Sequence, residues 1–193
     1  MSLYSLYAPV VVITVPHYTC LSNKFHDCDK KAEALADMIY EKLSEVNIDT
    51  KVFLGGINRT KIDLNRFESR HTNFRKRIRE YIEKAKGKVI LLDCHSFDKT
   101  HTFFEKYKDP DFVILSDNLK KFGPYVFKLR DMLEEAQIKT NVLSGIQNDI
   151  IDEFEANSKV TPVLLEVSEV ISDKKMNIIS DTIKNWILDL IQM

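Results

Sequence analysis

Two histidines stand at the ends of apolar runs: "VVVITVPH" delivers His17 and "KVILLDCH" delivers His95. A carboxylate, Glu166, closes a third run, "PVLLE". Two neutral imidazoles and a carboxylate make a zinc shell that leaves a fourth position for water. A carboxylate in an apolar strand is costly unless compensated, so Glu166 calls for a partner such as a metal-held water or a cation. Asp93, two residues before His95, is placed to orient a ring nitrogen from behind. A fourth segment, "NRTKIDLNR", sets Arg59 and Arg66 on either side of a turn that carries Asn65. The arginine fork binds carboxylates in bidentate fashion and the amide adds a donor, although the same arginines can pair with Asp63 and Glu68.

These side chains need elements to carry them. Short β-branched and apolar runs predict strands over 9–15, 50–54, 88–93, 111–117, 138–144 and 162–170. Helical patterns cover 29–47, 72–86, 124–137 (with Pro124 in the first turn) and 173–192, and residues 145–160 read as a loop with one helical turn. Strands without a period of two, alternating with helices, predict a mainly parallel sheet covered on both faces. The expected fold is therefore a three-layer α/β/α sandwich, a single domain over 1–193. Ligands in such sheets bind beyond the C-terminal strand ends, where His17, His95 and Glu166 all fall.

The 28 Lys and Arg balance 29 Asp and Glu, which argues against a general nucleic-acid surface. The basic run "RHTNFRKRIRE" (70–80) reads as the solvated face of a helix. No apolar run is long enough to cross a bilayer, so no membrane partner is expected. Three cysteines at irregular spacing (Cys20, Cys28 and Cys94) do not suggest a disulfide framework, and a reducing, cytoplasmic setting is the expectation.

"VPH", "HDCDKKAEALA", "DLNR", "DCHSF" and "LLEVSE" occur in an order that resembles the N-formylglutamate amidohydrolase family, similar in fold to zinc carboxypeptidases and aspartoacylase-like enzymes. The resemblance spans residues 15 to about 170 and implies a zinc-dependent hydrolase of a linear amide bond. It makes His17 and His95 ligands of Zn2+, with Asp29 as the favoured third ligand. Cys20 is the alternative, and His26 and Asp27 stay open. It gives Glu166 the general base and acid role on a metal-bound water, Arg59 a part in stabilising the oxyanion, and Arg59, Asn65 and Arg66 the substrate. Ser96 and Asn141 are further substrate contacts. The implied substrate is an N-acyl amino acid of the N-formylglutamate kind. A zinc carboxypeptidase-type enzyme acting on short peptides is the alternative, as is a catalytically degenerate protein that binds a carboxylate or a partner.

Overall fold

The computed structural model describes residues 8–21, 28–98, 109–145 and 148–192. Six strands form one sheet: β1 (Val10–Val15), β2 (Thr50–Leu54), β3 (Val89–Phe97), β4 (Phe112–Leu115), β5 (Thr140–Leu143) and β6 (Val160–Ser168), in the order β2-β1-β3-β6-β4-β5. The helices are α1 (Ala32–Ser44), α2 (Asn73–Lys84), α3 (Leu119–Glu135), α4 (Asp149–Glu155) and α5 (Asp173–Gln192), with a 3-10 turn at Phe67–His71. The sheet is parallel throughout except that β4 runs antiparallel to β6. This is the mainly parallel three-layer arrangement expected from the sequence.

Each central strand is apolar on both faces because both faces are covered. On one side Val11, Ile13, Leu92, Leu165 and their neighbours meet α1, α3 and α5, and Trp186 is fully buried among them. The Trp186 indole N–H donates to the Tyr125 carbonyl at 2.9 Å, so the ring brings no unmet donor into the core. On the other side Val10, Val12, Leu91 and Phe53 pack on Phe74, Ile78 and Ile82 of α2 and on Ile150 and Phe154 of α4.

Several details differ from what the sequence predicts. β3 continues to Phe97, so His95 lies inside the strand rather than beyond it. α3 begins at Leu119, where the Asn118 side chain accepts from Lys121 N, and Pro124 sits inside the helix instead of opening it. The region 145–160 contains α4, capped by Asn148. Cys20 and Cys28 form a disulfide, which corrects the expectation of unpaired thiols, and Cys94 is buried and free. No helix among the described residues is long and apolar enough to cross a membrane.

Candidate metal centre

β1 ends at Val15, and the chain turns at Pro16 to present His17. Gly55 permits this turn: a Cβ at that position would overlap the Pro16 carbonyl oxygen. The turn is tied down by Thr19 Oγ1 donating to the Gly55 carbonyl and by Asn58 Nδ2 donating to the Thr19 carbonyl, both at 2.7 Å. His95 comes from β3, and Asp29 from the segment just before α1, where its backbone N–H donates to the His17 carbonyl at 3.0 Å.

The three side chains converge. Asp29 Oδ2 lies 3.1 Å from His17 Nδ1 and 2.7 Å from His95 Nδ1. One ligand atom from each residue falls within 4.8 Å of the others, and all three residues are buried. The outward nitrogens are held from behind. His17 Nε2 is 2.7 Å from Asp63 Oδ1, and His95 Nε2 is 3.0 Å from Asp93 Oδ2. A carboxylate on the far nitrogen fixes a ring's rotation and raises the basicity of the near one, the arrangement found behind metal-binding histidines. Two imidazole nitrogens and a carboxylate oxygen, convergent and backed in this way, fit the donor set of zinc.

Charge is balanced tightly here. Burial alone would raise the Asp29 carboxyl, but its bonds to His17 and His95 outweigh this and hold it well below the usual carboxylate range. Asp63 behaves likewise: burial pushes upward, and the His17 hydrogen bond and charge outweigh it. Burial opposes a charge on His95, yet the Asp93 and Asp29 carboxylates push its pKa well above the ordinary imidazole value. Glu166 is directly across from His95 in the β3–β6 register and on the same face. Burial pushes its carboxyl up to about 7, with Asp29 and Asp93 adding to the shift and the imidazoles opposing it.

Arg59 reaches Asp29 Oδ1 at 3.4 Å and Asp63 Oδ2 at 3.7 Å, and Arg66 Nε stands 3.5 Å from Asp63 Oδ2. Asp63 thus joins both arginines to His17, where the sequence suggests only a simple ion pair. Asn65 Nδ2 is 3.2 Å from His95 Nε2, while its buried Oδ1 has no partner among the described residues.

Three residues expected at the centre have other roles or places. Cys20 is not a free thiolate, because its sulfur is bonded to Cys28. Ser96 follows His95 in a strand and so faces the opposite side of the sheet. There its Oγ donates to Glu169 Oε1 and accepts from Lys31 N, each at 3.2 Å. Asn141 shares the cross-strand row His95–Glu166–Val113–Asn141, two strands beyond Glu166, or about 10 Å at the usual strand spacing. His26 and Asp27 lie outside the described residues.

The run 70–80 is not simply a solvated helix face. Arg75 is fully buried and contacts Asp149 Oδ2 at 2.9 Å, the Asp149 carbonyl at 3.0 Å, and Glu153. Arg70 grips the same Asp149 carboxylate through Nε and Nη2 at 2.8 and 2.7 Å. Asp149 N donates to the Asn65 carbonyl at 3.3 Å, so this ion cluster lies directly behind the centre.

No family model and no curated protein matches the chain. Solved structures do. A protein from Ralstonia eutropha superposes with a TM-score of 0.64 at 11% identity, over 98% of this chain and 94% of that one. That protein is an N-formylglutamate amidohydrolase. The chain shares its fold. A gene product of Agrobacterium tumefaciens superposes with a TM-score of 0.73 at 14% identity, over 97% and 93%. The CwlD amidase of Clostridioides difficile gives 0.57 at 12% identity, over 95% and 98%. At these identities the likeness to N-formylglutamate amidohydrolase concerns the fold. What the site does rests on its own side chains.

Proposed function

We propose that the chain is a zinc-dependent amidohydrolase that cleaves an N-acyl amino acid of the N-formylglutamate kind. The observation that carries this reading is the convergence of His17, His95 and Asp29, with ligand atoms within 4.8 Å of one another and Glu166 in the adjacent strand position. His17, His95 and Asp29 would hold the ion, which when bound supplies a Lewis acid that acidifies water and polarises the scissile carbonyl. Glu166, with its pKa pushed up to about 7, accepts a proton from the attacking water and returns it to the leaving nitrogen. Arg59, which already spans two carboxylates of the centre, places positive charge beside the developing oxyanion. The Arg66 side chain is 47% exposed, so its guanidinium is accessible to the carboxylate of the substrate. Asn65, whose Nδ2 is 3.2 Å from His95 Nε2, is the remaining polar side chain assigned to the substrate.

A peptidase acting on short peptides uses the same residues. The test is zinc content by elemental analysis, followed by assay of Glu166→Gln on N-acyl amino acids and on short peptides. Zinc should remain at about one per chain in the variant while turnover falls about 10²- to 10⁴-fold. Undiminished activity in the variant, or no zinc uptake by the wild type, refutes the reading. Zinc without turnover on either substrate class leaves a binding protein.

A further inference from the structure

We infer that Asn148, outside the metal centre, is a positioning residue that sets the orientation of His95 through Asp93; the inference rests on the metal reading above. Asn148 is 3% exposed. Its Oδ1 accepts from Ile150 N and Ile151 N, both at 3.0 Å, capping α4. Its Nδ2 donates to Asp93 Oδ2 at 2.9 Å. The two ends of the amide therefore have opposite tasks, and a rotated amide would set oxygen against carboxylate and NH2 against two backbone N–H groups. The chemistry admits a single orientation.

Asp93 is fully buried and needs donors for both oxygens. Thr14 Oγ1 meets Oδ1 at 2.5 Å, while Asn148 and His95 Nε2 share Oδ2. With Thr14 and Asn148 in place, the carboxylate cannot swing away from the His95 ring. The ring in turn keeps Nδ1 toward Asp29. The support is rigid from both directions: Thr14 comes from β1, and Asn148 from the start of a helix clamped by Arg70 and Arg75 through Asp149.

Three variants separate the donor from the cap. Asn148→Ser keeps a capping hydroxyl and loses the reach to Asp93. Asn148→Asp keeps a capping oxygen and sets a carboxylate against Asp93. Asn148→Ala loses both functions. Zinc affinity is read by chelator competition, ligand geometry by the visible spectrum of the cobalt-substituted protein, and folding by thermal melting. Asn148→Ser should bind zinc about tenfold more weakly, with an altered cobalt spectrum and a melting temperature near that of the wild type. Asn148→Asp should lose at least as much affinity, and Asn148→Ala should lose affinity and melt lower. At saturating zinc the KM for substrate should not change. Wild-type zinc affinity in both Asn148→Ser and Asn148→Asp, or losses that merely follow the melting temperature, overturn this inference and leave the metal reading intact. A wild-type chain that takes up neither zinc nor cobalt overturns both.

Discussion

Replacing Asp149 with alanine deletes a carboxylate that neutralises two arginines at once. The Arg70 side chain is 38% exposed, so its share is screened by water and is worth about 1 kcal/mol or less. Arg75 is different: its side chain is fully buried. Removing one partner of a buried pair costs about 3–5 kcal/mol because the other charge stays buried. Arg75 keeps Glu153, the Leu64 carbonyl at 3.1 Å and the Asp149 carbonyl, which places the expected loss near the low end, about 3 kcal/mol. For a chain of 193 residues that is a fall in Tm of about 6–12 °C. Denaturant and thermal unfolding of Asp149→Ala against Arg70→Ala provide the assay, since the Arg70 variant should lose only about 1 kcal/mol or less. The arginines hold the folded Asp149 pKa below its ordinary value, so its contribution is present above the unfolded value of about 3.9 and is lost as pH falls through the lower folded value. The gap between wild type and variant should therefore be constant from neutral pH down to about 4 and close below it. A loss equal to that of Arg70→Ala, or a gap that does not change with acid, would refute the assignment of Arg75 as a buried charge dependent on Asp149.

Metal affinity should rise with pH: His95 in the metal-free chain keeps its proton above the ordinary imidazole range, and the ion must displace it, so apparent zinc affinity should fall about tenfold per pH unit below the raised pKa. A chelator competition that shows no pH dependence contradicts this. Cys20→Ser should lower stability by about 2–3 kcal/mol, because the bond closes a sequence separation of 8 residues. Alkylation of Cys20 and Cys28 in the unreduced, folded protein would contradict the pairing. Arg66→Ala should raise KM for substrates that carry a carboxylate and leave uncharged analogues unaffected; equal losses on both would remove its clamp role.

The sheet is legible in the sequence because buried parallel strands advertise themselves: "PVVVITV", "KVILLD" and "PVLLEV" are apolar on both faces. The antiparallel β4 carries no such mark, since a short buried run reads alike in either direction. Strand length matters more than strand existence. In a strand that stopped at Asp93, His95 and Ser96 would both be loop residues beside a site, whereas inside a strand they face apart. Asp63 is visible in "DLNR" but its contact with His17 spans 46 residues, beyond the reach of local patterns. Asn148 before "DIIDEF" has the signal of a helix cap, which places α4 and the amide together. Arg75 is hidden by its neighbours, because Lys76, Arg77 and Arg79 follow it in a run that is solvated in most helices.

The reversed direction of β4 has a consequence for how this end of the sheet can change. Phe97 at the end of β3 pairs with Ser168, and Phe112 at the start of β4 pairs with Val167. The connection from β3 to β4 therefore leaves and re-enters the sheet at the same edge, the one where His95 and Glu166 stand. Had β4 been parallel, that connection would have had to return to the opposite edge and pack on the way. As built, both of its ends are held by strand register, and its length is set by nothing in the sheet. Doubling the length of a loop costs only about 0.6 kcal/mol. The centre and its rim are thus under separate constraints. His95 and Glu166 are fixed by strand register, while nothing in the sheet fixes how many residues join β3 to β4.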